Sequence, residues 1–231
     1  MSIFAIGDLH LSFSSDKPMD IFGAEWTNHS ERLKEEWVSA IGSDDTVIIV
    51  GDISWALKLP DAMPDIKWIH DLPGKKVLIR GNHDLWWNSI GKLNSLYEDI
   101  LFLQNTHYQT EGVAICGSRG WITDPDDPEF TESDERIYRR ELIRMEMSLK
   151  SAAGNTEGDI IVAIHFPPAS KNNKPTDFTD LFERYGVKKV VYGHLHGEDA
   201  YKKGITGEYN GIDYDLVSLD YLNCKPLRIW N

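Results

Sequence analysis

Side chains that can bind metal ions recur in this sequence at the ends of short apolar runs. They are Asp8, His10, Asp52, Asn82, His83, Asp84, His165, His194 and His196. Imidazole, carboxylate and amide oxygen together suit Mn, Fe, Zn or Ni, whereas the absence of thiolates argues against a structural cysteine-type zinc site. Leaving aside His83 and Asp84, seven plausible ligands remain, enough for two ions.

The spacing of these residues indicates which of them can share an ion. Alternate residues of an extended segment point to the same side, so Asp8 and His10 can bind together, and the same holds for His194 and His196. The carboxylate of Asp52 has two oxygens and can bridge two ions. Such a bridge fits two-metal phosphate chemistry, in which the ions lie about 3.5–4 Å apart.

Buried strands are expected to position the first of these residues. Apolar runs over residues 3–6, 47–50 and 77–79 end in Gly-Asp, Gly-Asp and Arg-Gly-Asn, which is typical of strands buried on both faces. A helix over residues 28–40 is predicted between the first two, with capping-box spacing of Asn28 and Glu31. The resulting βαβ unit implies parallel strands, whose carboxyl ends can bring separate side chains into one crevice.

The later sequence continues the pattern and then changes character. Further strands are predicted over residues 100–103, 113–116, 160–164 and 187–191, and helices near 64–70, 89–97, 131–152 and 177–185. Asn210-Gly211 predicts a late hairpin. The acidic run over residues 124–129 is interpreted as a solvated loop rather than a cation site. The pattern therefore predicts an α/β fold with parallel strands early and antiparallel strands late.

The ordered blocks identify a resemblance. Asp8-Leu9-His10, Gly51-Asp52, Gly81-Asn82-His83-Asp84, His165 and Gly193-His194-Leu195-His196 closely resemble those of the calcineurin-like metallophosphoesterases. Each block alone is weak evidence, but all five occur in the family's order. The resemblance implies a four-layer α/β/β/α sandwich of two mixed sheets flanked by helices, which we expect to form a single domain over residues 1–231.

The resemblance also implies roles for individual residues. One ion would be held by Asp8, His10, Asp52 and His196. The other would be held by Asp52, Asn82, His165 and His194, with a metal-bridging hydroxide as the nucleophile. His83 resembles the family's catalytic histidine, which contacts the phosphate and protonates the leaving oxygen, and Asp84 is expected to support the ligands rather than to bind metal.

Two further residues are candidates for contact with substrate. Arg119 follows a predicted strand and can reach a phosphate with two hydrogen bonds, the alternative being a salt bridge. Trp86 can wall a substrate pocket, the alternative being packing in the core. His29, His70 and His107 lie outside the blocks and are assigned to structure or surface.

The metal blocks do not identify the substrate. Within the family that the chain resembles, a phosphodiesterase acting on a small molecule or nucleotide is narrowly favoured over a phosphomonoesterase. A protein phosphatase is disfavoured because Gly-Asp-Ile-Ser-Trp departs from the Gly-Asp-x-Val-Asp-Arg-Gly pattern of the Ser/Thr phosphatases. A non-enzymatic metal-binding scaffold for protein interaction is the alternative of another class.

The composition of the chain limits the classes of molecule that it is expected to bind. The 231 residues carry a net charge of −13, so no nucleic-acid or anionic membrane surface is expected, and the two ions would supply the positive site for a small phosphorylated substrate. No apolar run approaches the roughly 18 residues of a membrane span. Two cysteines and no recognisable signal segment predict reduced thiols in the cytoplasm. The sequence does not predict an oligomeric state.

Overall fold

A computed structural model describes residues 1–110, 112–123, 130–154, 158–169 and 175–231. The chain forms two compact units, each described by itself. Unit 1 comprises Met1–Phe102 and Val217–Asn231, and unit 2 comprises Leu103–Leu216.

Strands and helices alternate along most of the chain. The strands are β1 (Ile3–Ile6), β2 (Thr46–Ile49), β3 (Lys75–Leu78), β4 (Ile100–Phe102), β5 (His107–Thr110), β6 (Val113–Ser118), β7 (Asp159–Ile164), β8 (Lys189–Tyr192), β9 (Gly207–Tyr209), β10 (Ile212–Leu216) and β11 (Leu227–Trp230). The helices are α1 (His29–Ala40), α2 (Leu59–His70), α3 (Ile90–Leu93), α4 (Glu132–Ala153), α5 (Asp177–Arg184) and α6 (Glu198–Tyr201).

The sheet of unit 1 has the order β11-β1-β2-β3-β4. Strands β1 to β4 run parallel and β11 is antiparallel to β1. Every residue of β1 and β2 is buried, which explains why both appear in the sequence as continuous apolar runs. The carboxyl ends of β1, β2 and β3 therefore meet at one edge of this sheet.

Helix α1 packs on unit 1 through Leu33 and Trp37, both fully buried. The predicted capping box is wrong: Asn28 has φ 49°, and its side chain makes no capping hydrogen bond. An N-cap side chain reaches the first-turn amides from an extended backbone, which the left-handed conformation of Asn28 does not provide.

Helices α2 and α3 differ from their predicted bounds. Helix α2 begins at Leu59 rather than near Pro64, because Pro60 is tolerated in a first turn whose amides have no helical partner. Helix α3 ends at Leu93. Beyond it, the Asn94 side chain accepts from the Phe102 amide at 2.7 Å and donates to the Phe102 carbonyl at 3.2 Å. These bonds attach the chain to β4 instead of extending the helix.

The sheet of unit 2 has the order β5-β6-β7-β8-β10-β9. Strands β6, β7, β8 and β10 run parallel, and the outer strands β5 and β9 are antiparallel to their neighbours. The predicted hairpin is confirmed, since Asn210 and Gly211 turn between β9 and β10 with φ 50° and 78°. Helix α4 starts at a capping box formed by Thr131 and Asp134.

The predicted α/β class with two mixed sheets and flanking helices is confirmed. The single-domain assignment stays a prediction, and the acidic run 124–129 lies outside the described residues. In the described parts of the chain, no helix is long and apolar enough to cross a membrane.

Candidate metal centre

The loops that follow β1 and β2 carry the first three predicted ligands, and they run side by side. The amide of Asp8 donates to the Gly51 carbonyl at 2.9 Å, and the amide of His10 donates to the Asp52 carbonyl at 2.9 Å. The parallel ladder thus continues past the strand ends. Asp8 has a carboxylate oxygen within 4.8 Å of a ring nitrogen of His10, and one within 4.8 Å of a carboxylate oxygen of Asp52.

The backbone at these three residues adopts a conformation that L-residues avoid. Asp8, His10 and Asp52 have φ values of 57°, 44° and 48°. The left-handed region costs a non-glycine residue about 1–2 kcal/mol, and such outliers persist where surrounding structure enforces them, often at functional sites. The ladder bonds between the two loops provide that enforcement.

Gly81 allows the loop after β3 to approach Asp52 closely. A Cβ atom at this position would lie 2.1 Å from Oδ1 of Asp52 and 2.2 Å from its amide nitrogen. No larger residue fits without displacing the carboxylate. Glycine in this block is therefore a packing requirement of the metal-binding loops.

His83 lies beside Asp52. Its amide donates to Oδ1 of Asp52 at 2.8 Å, and its Nε2 atom is 4.0 Å from Oδ2. The His10 Nε2 atom is 3.9 Å from the same oxygen. The His83 side chain is 45% exposed, whereas Asp52 is buried, so His83 can meet a molecule arriving from solvent. Unit 1 thus brings together His10, Asp52 and His83.

Asp84 connects the loops of unit 1 to one another. Its Oδ1 accepts from the amides of Ile53 at 2.9 Å and Ser54 at 3.2 Å, and its Oδ2 accepts from the Gly81 amide at 2.8 Å. Burial, and secondly the charge of Asp52, raise the pKa of Asp84 to about 6, while these amides act in the opposite direction. These contacts join the loops after β2 and β3, and the role of Asp84 as a support for metal ligands stays a prediction.

Aromatic side chains surround the histidines of unit 1. The Trp55 indole stacks on His10 at 4.8 Å between ring centroids and lies 4.5 Å from the ring of His83. Behind them, His29 contacts the carbonyls of Leu9 and Trp26 through its two ring nitrogens, each at 3.1 Å. Neither contact was predicted, although Trp55 follows the Gly51-Asp52 block closely enough to have been considered.

Of the other predicted ligands, Asn82 follows β3 in unit 1, whereas three histidines belong to unit 2, beyond the carboxyl ends of β7 and β8: His165, His194 and His196. His165 follows β7 directly, and its amide donates to the Arg119 carbonyl at 3.1 Å. His194 follows β8 with φ 72°, and its ring lies 5.1 Å from that of His165. His165 is fully buried and His196 is half-buried. Unit 2 therefore groups His165 and His194 at one edge of its own sheet.

Arg119 is held by a buried carboxylate. Its Nη2 atom is 3.5 Å from Oε1 of Glu141, and its guanidinium lies 4.5 Å from the centre of the Trp121 ring. Glu141 is 1% exposed and also pairs with Arg144 at 2.9 Å. These contacts correspond to the salt-bridge alternative for Arg119, and its contact with phosphate stays a prediction.

Trp86 packs in the core of unit 1 and is 2% exposed. Its indole N–H donates to Oδ1 of Asp84 at 3.1 Å. This is the packing alternative, and contact with substrate stays a prediction. The other histidines have structural contacts: His70 pairs with Asp99 at 2.6 Å, and His107 bonds Ser151 at 2.9 Å.

The chain belongs to the calcineurin-like phosphoesterase family, whose model matches residues 1–198. The five sequence blocks lie within the matched region. The resemblance inferred from them is therefore confirmed.

Curated relatives match parts of the chain. The Gene 66 protein of Mycobacterium phage L5 is 38% identical over 77 residues, covering 33% of this chain and 37% of that protein. The Gene 66 protein of Mycobacterium phage D29 is 29% identical over 109 residues, covering 46% of this chain and 53% of that protein. The matches thus span roughly a third to a half of these relatives.

Solved structures resemble the chain over most of its length. A protein of unknown function from Aquifex aeolicus, AQ665, has a TM-score of 0.54 at 14% identity, covering 98% of this chain and 94% of that one. The phosphopantetheinyl hydrolase PptH of Mycobacterium tuberculosis has a TM-score of 0.55 at 15% identity, covering 94% and 88%. At these identities the likeness concerns the fold.

Proposed function

We propose that the protein hydrolyses a phosphate ester with the aid of two divalent metal ions, and that a small-molecule or nucleotide diester is its favoured substrate. The observation that carries this proposal is the juxtaposition of Asp8, His10, Asp52 and His83 on enforced loops of unit 1. Membership of the phosphoesterase family supports it.

The donor set fits such ions. The proposed ligands of one ion are Asp8, His10, Asp52 and His196, and those of the other are Asp52, Asn82, His165 and His194. Buried carboxylates and imidazoles without thiolates suit Mn, Fe, Zn or Ni. When bound, two such ions polarise the phosphate and lower the pKa of a coordinated water towards about 7.

The chain's own residues supply the proton transfer. In the proposed mechanism the His83 imidazole donates a proton to the oxygen that leaves phosphorus, a step worth about 10²–10⁴ in rate. The hydrogen bond from its amide to Asp52 fixes the position of the His83 backbone, while the half-exposed ring meets the substrate. Asp84 holds the loops of Asp52 and Gly81 together.

Diester specificity is the finer part of the proposal. The departure of Gly51-Asp52-Ile53-Ser54-Trp55 from the protein-phosphatase pattern disfavours phosphoproteins, which are monoesters. The net charge of −13 disfavours nucleic acids, so the favoured diester is a small molecule or nucleotide. Phosphomonoesterase activity is the alternative within the same chemistry.

The test compares two variants on two substrates. Metal-stripped protein is reconstituted separately with manganese, iron, zinc and nickel, and hydrolysis of p-nitrophenyl phosphate and bis-p-nitrophenyl phosphate is measured beside metal content. Asp52→Ala should lose metal and activity together. His83→Ala should keep its metal and lose about 100-fold or more in turnover.

His107→Ala serves as the matched control, since His107 contacts Ser151 away from the blocks. Equal loss of metal in Asp52→Ala and His83→Ala would contradict the assigned roles. Activity restricted to the monoester would replace the diester assignment. Absence of hydrolysis with every metal would favour the interaction scaffold.

A further inference from the structure

An exposed lysine is fixed beside the histidines of unit 1. The ammonium of Lys17 lies over the Trp55 indole, 4.9 Å from the ring centre. Its backbone is held locally, because the Lys17 amide donates to the Ser15 carbonyl at 3.0 Å and the Ser12 hydroxyl donates to the Lys17 carbonyl at 3.1 Å. A cation placed over an indole face is stabilised by the ring's electron density.

The Trp55 indole also contacts the residues that follow Lys17 in the chain. The Trp55 N–H points to Sδ of Met19 at 3.1 Å, so the segment from Lys17 to Met19 contacts Trp55 at two points. Trp55 also contacts His10 and His83, at 4.8 and 4.5 Å between ring centres. Lys17 and the proposed acid His83 therefore contact one shared side chain.

The ammonium of Lys17 forms no ion pair with a carboxylate of the described residues. Across the described ranges of the chain, no carboxylate oxygen lies within 4.0 Å of its ammonium. In a protein with a net charge of −13, a positioned and unneutralised cation at the edge of the site is suited to an anionic part of a ligand.

We propose that Lys17, positioned by Trp55, binds a second phosphate group of the substrate, distinct from the phosphate that is cleaved. The preferred substrates are then phosphoesters whose remaining part or leaving group carries a further phosphate. This inference rests on the proposed function, because it takes the loops around His83 as the place where the reacting phosphate binds.

Binding of non-hydrolysable ligands tests the proposal independently of turnover. Alkane diphosphonates with chains of increasing length are compared by calorimetry with alkyl monophosphonates of the same carbon number, using metal-reconstituted protein. At the chain length that reaches Lys17, the diphosphonate should bind about three- to tenfold more tightly than its monophosphonate. The gain should shrink as salt concentration rises.

Variants of Lys17 test whether this residue is responsible for the tighter binding of the diphosphonate. Lys17→Ala and Lys17→Gln should lose the gain and bind the monophosphonate as the wild type does, while Lys17→Arg should retain part of it. Lys34→Ala removes an exposed charge on α1 and should retain the whole gain. Thermal unfolding of each variant shows whether it is folded.

The proposal is overturned if no diphosphonate binds more tightly than its matched monophosphonate, or if the gain survives in Lys17→Ala. Hydrolysis of bis-p-nitrophenyl phosphate is measured on the same preparations. Hydrolysis without the gain contradicts the role of Lys17 alone, whereas the gain without hydrolysis contradicts the proposed function alone.

Discussion

The two sheet edges that carry the predicted ligands are built differently. In unit 1, left-handed backbone at Asp8, His10 and Asp52 is enforced by bonds between adjacent loops. In unit 2, left-handed backbone occurs at His194, and the His165 amide bonds to the Arg119 carbonyl. Bonds between adjacent loops occur at both edges, but the first edge has left-handed backbone at three predicted ligands and the second at His194 alone of its three.

This difference indicates where substitutions should affect chemistry and where they should affect stability alone. At the edge of unit 1, the hydrogen bonds that join the two loops also hold Asp52 in place, because the Asp52 carbonyl accepts from the His10 amide. At the edge of unit 2, the Arg119 side chain pairs with the buried Glu141 at 3.5 Å, but His165 is held through the Arg119 backbone.

The largest effect is expected from Gly81→Ala. The new methyl group would meet the Asp52 carboxylate at 2.1 Å, so the loop or the carboxylate must move, and overpacking of this kind costs about 1–3 kcal/mol. Metal content and turnover should both fall, the latter by about 100-fold, because a displacement of about 1 Å can cost that much in rate.

The control for Gly81→Ala is Gly91→Ala in α3, where nothing lies within 4 Å of an added Cβ atom. Alanine favours helix over glycine by up to about 1 kcal/mol, so the control should be at least as stable as the wild type and fully active. Full activity of Gly81→Ala would show that close packing against Asp52 is unnecessary.

Asp84→Asn should have an intermediate effect. The carboxylate accepts from Ile53, Ser54, Trp86 and Gly81, and an amide group offers one oxygen in place of two. At least one buried N–H then loses its acceptor, which costs about 1–3 kcal/mol of unfolding free energy. Denaturant unfolding measures this loss, and calorimetry should show weaker metal binding.

Relief of the burial penalty on the Asp84 charge offsets part of that cost, because burial disfavours the ionised form. Asp61→Asn, an exposed aspartate in the first turn of α2, is the control for the substitution itself. Unchanged stability and metal binding in Asp84→Asn would remove Asp84 from the loop-supporting role.

The smallest effect on metal content and turnover is expected from Glu141→Gln in unit 2. Removing the buried charge leaves Arg119, Arg140 and Arg144 without their shared carboxylate. We expect a loss of about 1–3 kcal/mol, since all three arginines keep some solvent contact. Metal content should not change. Glu132→Gln, at a position 91% exposed, should have an effect near zero.

Turnover of Glu141→Gln also bears on Arg119. A rise in KM with unchanged metal content would support contact between Arg119 and the phosphate. Loss of metal from this variant would show that side chains of unit 2 fix His165, contrary to the comparison of the two edges.

The local sequence pattern was sufficient to predict most helices and strands and to identify the family. The apolar runs of β1 and β2, the α4 helix and the Asn210-Gly211 turn are short-range signals, and the metal-binding blocks follow strand ends in order. Strands β5 and β11 were missed because they are outer strands with partly exposed residues. Such strands lack the continuous apolar run that marks a central strand.

The sequence by itself determined the family, the sheet class and the candidate ligands, because these depend on residue type, order and periodicity. Only the tertiary structure decided which residues surround them. The packing of Gly81 against Asp52, the bonds that Asp84 accepts from Ile53 and Ser54, and the contact of Lys17 and His83 with Trp55 join positions far apart in the chain. Such contacts depend on chain packing, which residue order and periodicity do not specify.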